Sequence, residues 1–451
     1  MELKIHDQEV HLQRFWLKYG LKCRDIKSMA GSKIEVLSVG TLNHDAGPDF
    51  KDAVIKVDDQ VICGDVEIHL DSSGWYAHKH ASDPAYNRVI LHVVSEQTSD
   101  ELYVKREDGV KVHQILLDCD DKNEDTPKSL PLHEMDKVNC LLRREKAPVI
   151  LSGINKAAEL RFDEKVAQLQ EDLLWTSWEQ LIFIRICEAL GYSKNQKPFR
   201  KLAERLHFDK IRQIMQWVPE EVALDRCAAL LFGTAGLLKD AHIESFLDQS
   251  SLHKLANLWD HFQHTIQVKP MYAHEWQFFR LRPHNFPTRR IAGLAILLHR
   301  FKNIGFIDSF TRLIQSHSSK KKLLSNLYSA ISVPDCIYLK SPDVPSDKSK
   351  PALIGRDRAK DIVVNIVLPV MYLYFETSKE GQLRNTVLEC YRLSPKLSEN
   401  VIVRAMCEQL NADYDADLAL NDSAYRQQGL LYLYKNYCRY QKCRSCLQTI
   451  T

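Results

Sequence analysis

The stretch "VICGDVEIHL" (residues 61–70) decides how the first third of this chain folds. Along an extended strand, residues two apart share a face. Val66, Ile68 and Leu70 therefore point one way, and Asp65, Glu67 and His69 point the other. The apolar side is fit to make a core, while the polar side is a row of two carboxylates and an imidazole. Working outward, "KIEVLSVG" (33–40), "AVIKV" (53–57) and "RVILHVVS" (88–95) are further β-branched strand candidates. Upstream, "HDQEVHLQRFWLKYG" (6–20) spaces Val10, Leu12, Phe15, Trp16 and Tyr19 as one helical face, closed by Gly20. Downstream, "ELYVKRE" and "VKVHQILL" flank Asp108-Gly109, a hairpin signal. The polar segment 71–87 has room for at most a short helix. The order is helix, three strands, a connecting segment, a strand and a hairpin.

The charged, turn-rich "DCDDKNEDTPKSL" (118–130) marks the end of this region, and helical periodicity dominates from about residue 150. The expected class is α+β. Residues 1–120 form an α/β domain, 121–150 a linker, 151–340 a helical domain, 341–360 a Pro/Ser/Lys loop, and 361–451 a further helical region. Ser177 and Gly191 bracket one clear helix as N-cap and stop. Apolar content of 45% against 27% charged residues is that of a folded chain, and the formal net charge of +2 neither requires nor excludes a nucleic-acid partner. Apolar runs are too short for a bilayer and no signal-peptide core is visible, so no membrane association and a cytoplasmic location are the expectation. P-loop and nucleophile-elbow motifs are missing, which leaves ATP hydrolysis and serine-esterase chemistry without support.

In "NHDAGPDF" (43–50), Asp49 sits just before a strand, where a hairpin would bring it beside Glu67. Paired carboxylates at strand ends offer the oxygen ligands a hard divalent ion needs. His44, Asp45, Asp65, His78, His80 and Asp83 accumulate nearby as alternative ligands or as support around the metal. The alternative is a solvated polar face on an edge strand.

"PD" (48–49), a hairpin and "EIH" (67–69) resemble the PD-(D/E)xK nuclease motif, and the order of elements resembles its restriction-endonuclease-like αβββαβ core. The resemblance implies that Asp49 and Glu67 hold Mg²⁺ or Mn²⁺, that His69 stands where that superfamily has lysine, and that Glu9 on the first helix joins the site. It also implies DNA or RNA as substrate. Histidine is largely neutral at pH 7 and itself binds metals, which opens Mn²⁺ or Zn²⁺ as the ion. Longer stretches, among them "RLRPHNFPTRRIAGLA" and the terminal cysteines, resemble bacterial domain-of-unknown-function family 2851, which implies one inherited architecture and no particular chemistry. Three functions stand open. They are a metal-dependent nuclease using Asp49, Glu67 and His69, a non-catalytic binding module on a degenerate nuclease fold, and a zinc hydrolase using His69, His78 and His80.

Two more segments carry candidate residues. "FFRLRPHNFPTRR" (278–290) concentrates Arg280, Arg282, Arg289 and Arg290, either as phosphate contacts or as a rigid interhelical loop. "CRYQKCRSC" places Cys438, Cys443 and Cys446 as C-x4-C-x2-C, a spacing suited to Zn²⁺ or an Fe–S cluster. Cys390 and Cys407 are the candidates for a fourth ligand.

Overall fold

The chain divides into two compact units, Met1–Thr126 and Pro127–Thr451. The computed structural model describes residues 12–13, 15–17, 20, 26–43, 47–117, 132, 140–216, 218–239, 243, 247–266, 268–282, 285–316, 319–334, 352–411 and 419–450, with the backbone alone at 221, 264 and 265.

In the first unit, Leu12, Gln13 and Phe15–17 are helical. The strands are β1 (Ile26–Lys27), β2 (Lys33–Ser38), β3 (Thr41–Leu42), β4 (Phe50–Val57), β5 (Gln60–Asp71), β6 (Val89–Glu96), β7 (Tyr103–Lys105) and β8 (Lys111–Leu116). They form one mixed sheet in the order β1-β2-β4-β5-β6-β8-β7, with β3 also on β4. A two-residue turn joins β4 to β5, pairing Val57 with Gln60, and Asp58 takes the left-handed φ of 51° that such a hairpin demands. The β5–β6 and β6–β8 pairs are parallel. A parallel pair requires a crossover, and residues 72–88 supply it. This segment forms a single helical turn, Gly74–Ala77, and two 3-10 turns, His80–Ser82 and Pro84–Tyr86.

β5 lies inside the sheet, so neither of its faces is at an edge. Val66 and Ile68 pack with Trp16, Ile34, Val36, Phe50 and Ile55 in the apolar core. On the opposite face Asp65, Glu67 and His69 are buried beneath the crossover. Trp75 anchors that crossover, donating its indole N–H to the Lys105 carbonyl at 2.9 Å and packing with Tyr86, Val89, Val104 and Val112. The reading of a solvated edge strand is therefore replaced by a covered polar face.

The second unit is helical. Its longest helix, Ala147–Leu173, lies against Ala424–Asn436, where Gly429 permits close approach: a Cβ there would stand 2.1 Å from the Ile154 carbonyl oxygen. The main core runs from Phe162 through Leu353 and Ile354 to Ala424. The helical stretches expected on either side of the 341–360 loop thus share one hydrophobic interior. Residues 335–351 lie outside the described residues, and Val333 and Ile354 on either side pair as an antiparallel bridge. A smaller core joins Cys140, Leu142 and Ile150 to Val403, Leu433, Cys446 and Ile450. Among the described residues no helix is long and apolar enough to cross a membrane.

Candidate functional site

The pairing of Phe50 with Val66 sets Asp49 opposite Glu67. The Asp49 backbone N–H donates to Glu67 Oε2 at 3.0 Å, and the Ile68 N–H donates to Asp49 Oδ2 at 3.0 Å. Asp49 Oδ1 accepts from Gln13 Nε2 at 2.6 Å, which ties the N-terminal helical segment to the hairpin. Two of these bonds hold the Asp49 carboxylate in one orientation, and the third ties its backbone to Glu67. Asp65 points to the far end of the same face. It accepts from the Asp52 N–H at 3.1 Å and lies 3.9 Å from the Arg88 guanidinium.

Around Glu67 the crossover gathers imidazoles. His69 Nε2 lies 3.1 Å from His78 Nδ1 and 3.7 Å from Glu67 Oε1, and His80 Nε2 lies 3.2 Å from the same Glu67 oxygen. Among the described residues, His69, His78 and His80 are a group whose ligand atoms all lie within 4.8 Å of one another. Two backbone features make this possible. A Cβ at residue 74 would stand 2.7 Å from His69 Cγ, so only glycine lets the chain turn back over that ring. Lys79, with a left-handed φ of 62°, reverses the chain between His78 and His80. His80 stacks on Tyr86 with ring centroids 3.8 Å apart.

A relay of hydrogen bonds behind His69 sets its tautomer. Gln114 Nε2 donates to the Glu101 carbonyl at 2.7 Å, so Gln114 Oε1 faces His92 and accepts from its Nδ1–H at 2.9 Å. His92 Nε2 is then the lone-pair nitrogen, and it accepts from His69 Nδ1–H at 2.8 Å. The lone pair of His69 is thereby left on Nε2, which faces Glu67, His78 and the crossover. Strand register builds this line directly, because Glu67 pairs with His92 and His92 with Gln114 across three adjacent strands. Burial, reinforced by His92, His80 and His78, pushes His69 down to about 2. Burial likewise pushes His92 down to about 4, although its bond to Gln114 opposes the shift. Both rings are neutral at physiological pH. Burial and the neighbouring Glu67, Asp49 and Asp83 carboxylates push the Tyr86 phenol up, so it keeps its proton.

Of the residues singled out from sequence, Asp49, Glu67, His69, His78 and His80 come together. Asp83 does not join them; its side chain caps the 3-10 turn by accepting from the Ala85 N–H at 2.9 Å. Glu9, His44 and Asp45 lie outside the described residues. Gln114, Gln13 and Tyr86 carried no motif, and only strand register or proximity in space reveals them. His92, inside the strand candidate 88–95, is fully buried and hydrogen-bonded.

In the second unit Arg280 and Arg282 are exposed, whereas Arg289 and Arg290 are buried at the start of helix Pro287–Phe301. Arg290 donates to the Leu353 carbonyl, to Tyr192 Oη at 2.9 Å and to Asn285 Oδ1 at 2.7 Å. This is the interhelical-loop role. Of the candidate fourth cysteine ligands, Cys390 is buried in the main core and Cys407 packs against the smaller one; Cys140, which the sequence did not single out, lines a small cavity with Cys438, Cys443 and Cys446.

Fold and site together define a two-unit α+β protein with a histidine–carboxylate cluster buried in its sheet. Residues 9–400 match the model of the protein family of unknown function DUF2851, and the chain belongs to that family. The match ends before the terminal cysteines. No curated protein and no solved structure matches the chain.

Proposed function

We propose that the N-terminal unit is a divalent-metal hydrolase of phosphodiester bonds, with His69, His78 and His80 holding the ion and Glu67 beside its open position. The observation that carries this reading is the grouping of the three histidine nitrogens within 4.8 Å of one another, with Glu67 Oε1 beside two of them. A tetrahedral ion bound at about 2.0–2.1 Å holds its ligands roughly 3.3 Å apart. The closest separations here, 3.1, 3.2 and 3.7 Å, bracket that value. Burying the Glu67 carboxylate is costly, and a cation beside it offsets that cost. Three imidazoles and one carboxylate favour Zn²⁺ or Mn²⁺ over Mg²⁺.

The substrate class follows from the resemblance of "PD…EIH" and of the helix–three strands–crossover–strand order to PD-(D/E)xK nucleases. His69 departs from that pattern in chemistry as well as identity. As a neutral ring it cannot play the part of a lysine cation, and it serves as a ligand instead. A divalent ion bound there would supply Lewis-acid polarisation of a phosphoryl oxygen and a more acidic water. Asp49, held beside Glu67, orients that water, and the protonated Tyr86 phenol donates toward the leaving oxygen. Arg280 and Arg282 are candidate contacts to the nucleic-acid backbone.

The test is hydrolysis of bis(p-nitrophenyl) phosphate and of single- and double-stranded DNA and RNA, with Mn²⁺, Zn²⁺ or Mg²⁺. The expected result is metal-dependent cleavage that falls by about 10²-fold or more in Glu67→Gln and His80→Ala. Metal binding without cleavage of any of these substrates assigns the unit to binding instead, and cleavage that survives both substitutions overturns the reading.

A further inference from the structure

The second unit contains a separate cluster that the histidine site does not use. Cys140 precedes the 3-10 turn Leu141–Arg144, Cys438 opens the 3-10 turn Cys438–Tyr440, and Cys443 and Cys446 lie in the first turn of helix Cys443–Ile450. The four side chains line one cavity. Gln441, at a left-handed φ of 56°, turns the chain sharply enough for Cys438 and the helix to face the same space. All four are free thiols, three buried and Cys443 half-buried.

We propose that Cys140, Cys438, Cys443 and Cys446 form a tetrathiolate centre for an iron–sulfur cluster. A single zinc ion at about 2.3 Å from each sulfur would hold the sulfurs about 3.8 Å apart. Among the described residues no three of these sulfurs come within 4.8 Å of one another, in contrast to the histidine group. The wider cradle suits a multi-iron core bridged by sulfide. Arg143, Arg439, Lys442 and Arg444 alternate with the ligands in sequence, and they supply positive charge beside a centre that four thiolates make anionic. Each thiol releases its proton to solvent as its sulfur binds iron, and the ferric ions of a dithionite-reducible core enter as ferric iron, so the assembly needs no further oxidant. The centre closes a loop of about 300 residues, from the start of the second unit to its last helix. It acts as a staple in which Cys140 is the long-range ligand.

The experiment uses the full chain purified without oxygen and, in parallel, reconstituted with ferric and ferrous iron and sulfide. Iron and acid-labile sulfide in equal amounts, with broad visible absorption that dithionite bleaches, are expected. Cys140→Ala and Cys443→Ala should each lose most of both, while Cys390→Ala and Cys407→Ala keep them, with far-UV circular dichroism confirming that all four variants fold. Stoichiometric zinc without iron overturns the cluster assignment. A chain that holds neither metal overturns the site altogether. Retention of the full cluster in folded Cys140→Ala, or its loss in Cys407→Ala, overturns the ligand set. None of these outcomes depends on the histidine site, whose ligands lie in the other unit.

Discussion

Gln114 stands two hydrogen bonds behind His69, yet it governs which ring nitrogen of that histidine faces the site. Replacing it by an apolar isostere, Gln114→Met, removes the acceptor that holds His92 Nδ1–H and lets both rings change tautomer. Affinity for Zn²⁺ or Mn²⁺ is expected to fall about 10- to 100-fold, as it does when partners behind metal ligands are lost. Titration calorimetry measures this, and Gln114→Glu, which preserves the acceptor, should restore most of the affinity. Equal affinities in wild type and Gln114→Met would show that the relay only fills space. Gly74 offers a second test at the same scale. Its substitution by alanine places a methyl 2.7 Å from His69 Cγ, so metal binding should drop sharply at a stability cost of about 1–3 kcal/mol. A variant that binds metal as wild type does would mean that the crossover yields without moving His69.

At the scale of elements, the 72–88 crossover and the helix termini show how polar groups are placed. Glu179 reaches across to the start of helix Phe306–Gln315, where its carboxylate accepts from the Phe306 N–H at 2.8 Å and the Ile307 N–H at 3.1 Å. It serves that helix as an N-cap from outside, a role usually filled by the residue before the helix, here Gly305. A Cβ on residue 305 would meet Glu179 Oε1 at 2.4 Å, and φ is 90° there, so the glycine is needed for both conformation and space. Glu179→Ala should lower stability by about 1–2 kcal/mol, read as a shift in denaturant midpoint. A midpoint within error of wild type would show that solvent caps the helix equally well. The Arg290 fork belongs to the same class of device, linking Leu353, Tyr192 and Asn285 from three segments.

For the whole molecule, each unit has its own core, and pH should separate them. His69 and His92 have folded values of about 2 and about 4 against an ordinary 6.5. Between those folded values and 6.5 the unfolded chain binds more protons, so the first unit's stability rises with pH across that window and is lost as pH falls through it. In metal-free protein, each histidine contributes up to about 1.4 kcal/mol per pH unit below 6.5. The melting transition of the first unit should therefore fall steeply between pH 6.5 and 4, and His92→Asn should flatten the fall. Calorimetric scans across this range check it; a transition insensitive to pH would show that these rings are already protonated or exposed.

Much of the site was legible in the alternation of a single strand. The period of two placed Asp65, Glu67 and His69 on one face, and the hairpin brought Asp49 near them, but the turn register alone points Asp49 at Ile68 and a bulge between Phe50 and Ala53 shifts it opposite Glu67. The helical nature of the second unit was equally legible from its periodicity. Burial of the polar face was not, since it depends on β5 pairing in parallel with β6 and so forcing residues 72–88 across the sheet. Nor could sequence spacing show that Cys140 lies against the terminal cysteines, or that Arg290 turns inward. Those choices join residues far apart in the chain, and they are set by packing of whole helices and strands, where local pattern carries no information. Local sequence thus determined the elements and the faces of their side chains. Tertiary structure alone decided which polar groups lost water together, and that shared desolvation is what makes them a site.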